Sequence, residues 1–342
     1  MSGATNSPNL KAIWNSHRFV ASTFPMKPPC LPRLGLVAAV LFAPPLTSLA
    51  SAAPAPSSLF TRQNLLAWCI VPFDSVKRGP AERAAMVRQL GLTKVAYDWR
   101  AEHVPQFEVE ILEYKKHGLE FFAFWSVHEE AFKLFEKHGL HPQIWVTAPS
   151  PSGQLSRDEQ IQKAVAQLLP VVERTRKAGC PLGLYNHGGW GGEPENLVAV
   201  CEHLRRHHDA KHVGIVYNQH HGHSHVDRFA AALAAMQPYL LCLNLNGLAR
   251  DGDQRGLKIQ PLGQGELDLP LLRIIAASSY RGPIGIIGHT NDDVELRLRD
   301  NLDGLDWLVS QLSGAPAGPQ PTPRVPLPPT PAAPAKKKAA IK

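Results

Sequence analysis

The chain has 342 residues, of which 44% are hydrophobic and 19% are charged, so it can form the core of one large domain or of two ordinary ones. Its formal net charge of +7 is concentrated at the two ends, because residues 1–52 and 313–342 together hold nine basic residues and no acidic ones. Setting those nine charges aside from +7 leaves residues 53–312 at −2. A slightly acidic body argues against a surface of clustered Lys and Arg, so no nucleic-acid partner is expected.

The amino-terminal segment has the order of regions found in an export signal. From Met26, the expected translation start, Lys27 and Arg33 are followed by an apolar run at 34–42 and by small residues that end at Ala52. The apolar run is too short for an ordinary transmembrane helix. We therefore expect residues 1–52 to be an extension and a cleaved signal peptide, with an uncleaved anchor as the alternative. The mature chain is expected to be exported, periplasmic or extracellular, and to have no transmembrane span.

Export implies an oxidising compartment, in which Cys69, Cys180, Cys201 and Cys242 could form disulfides. No close CxxC spacing is present, so neither a zinc knuckle nor a thioredoxin-type motif is supported. We interpret the four cysteines as buried, small apolar residues and leave their disulfide state open.

After a linker at 53–64, short apolar runs alternate with segments of helical periodicity. The predicted strands are residues 65–72, 94–97, 119–125, 143–146, 182–185, 213–217, 240–245 and 284–287. The predicted helices are residues 80–90, 108–117, 129–138, 158–178, 195–208, 226–236, 269–278 and 292–312. Eight such units in one run predict a single-domain α/β fold, a closed (β/α)8 TIM barrel over residues 65–312.

The segment from residue 313 to residue 342 has a different composition. Nine of its 30 residues are proline, alanine fills much of the rest, and Lys336, Lys337 and Lys338 lie near its end. Such a segment has too little apolar content to offset the entropy of ordering, so it is predicted to be a disordered basic tail. It is either a solvated tail or an electrostatic tether to an anionic envelope surface.

Polar side chains follow the predicted strands, and in a barrel these positions share one face. The stretch Tyr185-Asn186-His187 leads into a glycine-rich loop that contains Trp190, and glycine lets the backbone approach a ligand closely. Further polar residues at strand ends are Asp74, Asp98, Arg100, His128, Thr147, Tyr217, Asn218, Gln219, His220, His221, His223, His225, Asn244, Asn246, His289, Asn291 and Asp292. Imidazoles at this density indicate metal ligands or acid–base groups, unless they are solvated loop residues.

Three stretches carry a family resemblance. Leu184-Tyr185-Asn186-His187 resembles a "Glu-Asn-His" signature, residues 262–268 resemble a "Leu-Gly-x-Gly-x-x-Asp" loop, and residues 279–284 resemble a "Gly-Tyr-x-Gly" lead into the last strand. These motifs belong to the xylose-isomerase-like TIM barrels, a superfamily of sugar isomerases and epimerases that also includes AP endonucleases. The resemblance covers about residues 65–312 and implies a small carbohydrate as the ligand.

The resemblance also implies where a divalent metal would bind, and there the sequence departs from the family. The family's carboxylates are replaced by Tyr185, by Asn218 and by about Gly288, while the histidine after strand seven is replaced by Asn244. Neutral groups neither neutralise a hard cation nor tune its bound water, so a divalent metal is doubtful and the cofactor stays unknown. A zinc-like site remains open, with His187, His221 and His289 as its ligands.

The resemblance therefore implies an isomerase, epimerase or lyase-type enzyme that acts on a sugar or keto-sugar. His187, His221 and His289 would be its catalytic acid and base groups. The expected substrate-binding residues are Tyr185, Asn186, Trp190, Asn218, His220, Asn244 and Asn246. The alternative is a non-catalytic carbohydrate-binding pseudoenzyme. A nuclease is disfavoured by the acidic body, the missing carboxylates and the export signal, and the oligomeric state is not indicated.

If residues 26–52 are the signal, the mature chain should begin just after Ala52, because the charged, apolar and small-residue regions lie in that order. Amino-terminal sequencing of the protein from the cell envelope checks this. A mature chain that retains residues before Met26 would contradict both the start and the cleavage site.

Overall fold

The computed structural model of the protein describes residues 56–327. Eight parallel strands close into one barrel in chain order, and β8 pairs with β1. The strands are β1 Leu65–Trp68, β2 Lys94–Tyr97, β3 Glu120–Trp125, β4 Gln143–Thr147, β5 Leu182–Tyr185, β6 Val213–Asn218, β7 Leu240–Leu245 and β8 Ile284–Ile287. The predicted (β/α)8 barrel is confirmed.

A helix follows each strand and packs on the outside of the barrel. The α-helices are α1 Pro80–Gln89, α2 Phe107–Lys116, α3 Glu129–His138, α4 Arg157–Ala178, α5 Pro194–His207, α6 Phe229–Met236, α7 Asp268–Ala277 and α8 Val294–Leu312. Short 3-10 helices occupy Pro56–Phe60, Arg62–Asn64, Ala101–Gln106, Trp190–Gly192, Gln219–His221, His223–Arg228 and Gln237–Tyr239. None of the helices in residues 56–327 has the length and apolarity needed to cross a membrane.

The first strand, which is apolar at every position, shows why the strands are mostly apolar. Leu65 and Ala67 belong to the core between the barrel and its helices, whereas Leu66 and Trp68 belong to the core inside the barrel. Successive side chains of a strand point to opposite faces, and both faces of this parallel sheet are buried. An alternating polar pattern would therefore place polar groups in one of the two cores.

Two element boundaries differ from the predicted ones by three residues or more, for local reasons. Strand β1 ends at Trp68 rather than at residue 72, because Cys69 has a φ of 58°, which takes the chain out of the extended conformation. Helix α6 begins at Phe229 rather than at residue 226, because His223–Arg228 forms a separate 3-10 helix.

The four cysteines of the described residues are free thiols, and all are buried. Cys69 and Cys242 belong to the core inside the barrel, while Cys180 and Cys201 belong to the core under the helices. This agrees with their interpretation as small apolar residues.

Both segments that flank the barrel have contacts that their composition did not indicate. Leu59 and Phe60, in the expected linker, are buried in the outer core.

Residues 313–327, the first part of the expected tail, run back along the barrel. The Trp307 indole donates to the Gly318 carbonyl at 2.9 Å, and the Gln264 amide donates to the Pro321 carbonyl at 2.8 Å. Residues 1–55, with the expected signal, and residues 328–342 lie outside the described residues.

Asp300 of α8 is the main anchor of this returning segment. Its buried carboxylate accepts hydrogen bonds from the backbone N–H groups of Arg324 and Val325 at 2.9–3.0 Å, and it forms an ion pair with the Arg324 guanidinium. The segment is thus held mainly by hydrogen bonds and the Arg324 ion pair, and Val325 is its one buried apolar residue up to residue 327, which is why composition alone did not reveal it.

Asp300→Ala should lower the midpoint of thermal unfolding by a few degrees, because two backbone donors and a guanidinium lose a buried acceptor, at a cost of about 1–3 kcal/mol. Differential scanning fluorimetry measures the shift. The matched control is Asp306→Ala on the same helix, since the Asp306 carboxylate pairs with Arg62 but is 60% exposed. Equal, negligible shifts in both variants would show that the segment contributes nothing to stability.

Candidate active site

A pocket with a volume of about 380 Å³ lies at the carboxyl ends of the strands. Side chains from six of the eight βα units line it, so residues far apart in sequence meet there. The lining residues are Trp68, Cys69, Phe73, Asp98, Arg100, Trp125, Tyr185, His187, His220, His221 and His289.

The three histidines predicted to be catalytic all reach this pocket. The ring centroids of His187 and His221 are 4.4 Å apart, and His220 lies 3.8 Å from His221 and 5.5 Å from His289. The pocket therefore brings together imidazoles from the ends of β5, β6 and β8, as a closed barrel requires.

Burial keeps the His220, His221 and His289 imidazoles uncharged at neutral pH. Burial, with the neighbouring charges of His187 and Lys258, lowers the pKa of His221 to about 3. Burial, with the charges of Arg100 and Lys258, lowers the pKa of His289 to about 4, and burial also lowers the pKa of His220 well below its ordinary value. A neutral imidazole has one N–H donor and one acceptor nitrogen, so each of these rings can donate one hydrogen bond and accept another at neutral pH.

Aromatic rings form the rest of the wall. Trp68 and Trp125 are 6.1 Å apart at their ring centroids, and the Tyr185 ring lies 4.9 Å from Trp125. On the other side, the Phe73 ring lies 3.7 Å from His289. A mostly aromatic wall with a few polar groups is typical of a small-molecule site.

Asp98 is a pocket residue that sequence reasoning noted at the end of β2 but did not select. Burial raises the pKa of its carboxyl to about 7, and Oδ1 accepts a hydrogen bond from the Val71 N–H at 3.3 Å. Its Oδ2 is buried and has no hydrogen-bond partner among the described residues. Its position directly after a strand was the available signal, but its burial could not be read from the sequence.

Asn186 and Asn218 do not occupy the positions expected of substrate-binding residues. The Asn186 amide donates to the Asn218 carbonyl at 3.1 Å, and its Oδ1 accepts from the Asn218 N–H at 2.7 Å. The Asn218 amide in turn donates to the Tyr185 hydroxyl, and its Oδ1 accepts from the His220 N–H. These amides are fully buried and join β5 to β6, so they support the pocket from behind its wall.

The remaining predicted binding residues also lie outside the pocket lining. The Asn244 Oδ1 accepts a hydrogen bond from the Cys242 thiol at 3.5 Å, and the Asn246 amide donates to the Gly247 carbonyl at 2.8 Å. Trp190 is half-buried against the outer core. Of the seven residues expected to bind substrate, Tyr185 and His220 line the pocket.

A second pocket of about 550 Å³ adjoins the first and shares His187, His220 and His221 with it. Its other side is formed by Lys258 and Asp253, from the loop at residues 246–267 after β7. The His223 Nε2 lies 2.9 Å from the Lys258 carbonyl oxygen, which holds this loop against the 3-10 helix that follows β6.

Asp268 explains the motif at residues 262–268. Its buried carboxylate accepts hydrogen bonds from the backbone N–H groups of Leu248, Gly263 and Gly265 at 2.7–3.0 Å. One side chain thus joins both ends of the loop that carries Lys258. The motif therefore fixes the conformation of this loop, and Asp268 itself does not line the pocket.

The residues at the family's metal positions do not fit a hard divalent cation. Burial raises the pKa of Tyr185 well above its ordinary value, so its hydroxyl is an uncharged phenol that accepts a hydrogen bond from the Trp68 indole at 3.3 Å. The amide oxygens of Asn218 and Asn244 are already hydrogen-bonded, and Gly288 has no side chain. Across residues 56–327, no three His, Cys, Asp or Glu side chains are placed to hold one metal ion.

The fold defines a class of barrel: several solved structures of differently named proteins resemble it. One is 3-keto-D-glucoside 4-epimerase YcjR from E. coli, with 16% identity, 72% of this chain and 98% of that chain covered, and a TM-score of 0.51. Another is the zinc-bound IOLI protein, with 10% identity, 73% and 99% covered, and a TM-score of 0.56.

A third similar structure is the probable 3-DHS dehydratase AsbF from Bacillus anthracis, with 11% identity, 73% of this chain and 98% of that chain covered, and a TM-score of 0.52. No protein-family model matches the chain. No curated protein matches it either. At these identities the likeness shows the fold alone.

In an NMR titration of the folded protein, the His221 and His289 imidazoles should stay neutral from pH 8 to pH 5, because burial lowers the pKa values of both. Signals are assigned by loss of one resonance in His221→Gln and one in His289→Gln. The chain unfolded in urea is the control, and there both rings should titrate near about 6.5. A midpoint near the unfolded value in the folded protein would show that the rings are solvated.

Proposed function

We propose that the protein is an exported sugar isomerase or epimerase-like enzyme that moves a proton on a sugar or keto-sugar without a metal. Asp98 would take the proton as the base, and His221, His289 and His187 would be the acid groups that face it across the pocket. The fold supports sugar-modifying chemistry in general terms, since it is shared with a sugar epimerase.

One observation carries the proposal: the pocket has proton-transfer groups on opposite sides and an aromatic wall between them. Asp98 follows β2 and His221 follows β6, and these two strands lie across an eight-stranded barrel from each other. A ligand in the pocket would have a carboxyl on one side and imidazoles on the other. Removal of a proton from one face and its return from another is the requirement of epimerisation.

The pKa values suit this division of roles. A general base is most effective when its pKa lies near the working pH, and burial raises the pKa of Asp98 to about 7. The neutral imidazoles have N–H groups that can polarise a carbonyl oxygen, which makes the neighbouring C–H more acidic. The aromatic rings exclude water from the carbanion-like intermediate.

Incubation of EDTA-treated protein with a panel of keto-sugars in D2O should replace the hydrogen next to the carbonyl by deuterium, which 1H NMR detects. Asp98→Asn and His221→Gln should each slow this exchange by about 100-fold, the usual magnitude of general acid–base catalysis. His203→Gln is the control, because His203 lies on the outer helix α5 away from the pocket.

The pH dependence adds a second check. Because a base must be deprotonated, the exchange rate should rise as pH increases through about 7, and this rise should vanish in Asp98→Asn. Sugar binding with no exchange in any member of the panel would favour the alternative, a carbohydrate-binding protein. Exchange that EDTA abolishes and added metal restores would contradict the metal-free mechanism.

A further inference from the structure

We propose that the pocket takes an anionic sugar, one with a carboxylate or a phosphate, whose charge binds between Arg100 and Lys258. This inference rests on the proposed function and narrows its substrate class. It follows from the position of two cations that lie on either side of the imidazole cluster.

Arg100 lies at one side of the pocket against an aromatic ring. Its guanidinium is 5.3 Å from the centroid of the Phe73 ring, and the Phe73 ring is 3.7 Å from that of His289. One guanidinium nitrogen donates to the Trp99 carbonyl at 2.7 Å. A guanidinium has five N–H donors, so several remain for an anion at the pocket.

Lys258 comes from the other direction, on the long loop after β7. It lines the adjoining pocket beside His187, His220 and His221, and its own carbonyl is tied to His223. The Asp268 hydrogen bonds hold both ends of this loop. The backbone that carries the Lys258 side chain is therefore held in place beside the pocket.

Both cations are exposed, and neither forms an ion pair with any residue between 56 and 327. Arg78, Arg228 and Arg324, by contrast, form ion pairs with carboxylates. The carboxyl groups among the residues that line the two pockets are Asp98, which is buried with one oxygen unpaired among the described residues, and Asp253.

The groups between the two cations favour an anion as well. Neutral imidazoles and aromatic rings add no compensating negative charge, so the field of Arg100 and Lys258 is not cancelled inside the site. His220 is 2% exposed, and its buried Nδ1 has no partner among the described residues. A ligand oxygen or hydroxyl would supply that partner.

Binding of three matched probes tests the inference: D-glucuronate, D-glucose 6-phosphate and uncharged D-glucose. Trp68 and Trp125 line the pocket, so intrinsic tryptophan fluorescence reports occupancy. At least one anionic probe should bind about tenfold or more tightly than glucose, and that preference should fall as salt is raised. The two anions distinguish a carboxylate site from a phosphate site.

Arg100→Gln and Lys258→Gln should each weaken binding of the preferred anion by about tenfold while they change glucose binding less than about twofold. Arg255→Gln is the matched control, because it removes the same charge from the same loop at an exposed residue outside both pockets. Melting curves of all three variants confirm that they are folded.

Equal affinity for all three probes, or no binding of either anion, would overturn the anionic substrate class. An equal loss for glucose and the anion in the two variants would assign Arg100 and Lys258 a structural role instead. Deuterium exchange into uncharged keto-sugars is measured separately, so the proposed function can stand when this inference fails.

Discussion

The site depends on the packing of three aromatic rings in the barrel interior. Trp145 is fully buried, its ring lies 4.9 Å from Trp68 edge to face, and Tyr185 is within 6.2 Å of both. Large rings that fill a barrel core determine how far the strands can approach one another and where the open space above them begins. Trp68 and Tyr185 line the pocket, and the Tyr185 hydroxyl links these rings to the polar groups around them.

Tyr185 lies where the family resemblance implies a metal-binding carboxylate. The replacement of a carboxylate by a phenol changes the hydrogen bonding of the surrounding residues. A buried phenol needs hydrogen-bond partners, and the Trp68 indole and the Asn218 amide supply them. Asn186 then holds the backbone of Asn218 from behind. Groups that would bind a cation in a carboxylate-rich relative are here engaged with one another, so the polar network acts as a rigid support for the imidazoles.

The low dielectric of the pocket determines the charges that remain. Burial lowers the pKa values of His221 and His289, so both rings are neutral near pH 7, and it raises the pKa of Asp98 to about 7, so this carboxyl can both take and release a proton there. The fixed charges at the edge of the site are those of exposed side chains, chiefly Arg100 and Lys258. Neutral proton-transfer groups at the centre and cations at the rim form an arrangement suited to proton movement on a bound, polar small molecule.

The sequence by itself determined the eight βα units, because each strand is apolar on both faces and many helices end at a glycine such as Gly139 or Gly179, in the left-handed conformation. It also placed His187, His221 and His289 at one face, since strand ends in a barrel converge. Only the tertiary structure decided which polar side chains face the pocket. The Asn186 side chain bonds to the neighbouring strand, Asp98 is buried, and Lys258 lies beside the pocket on a long loop. Each of these placements depends on packing between elements that are far apart in the chain.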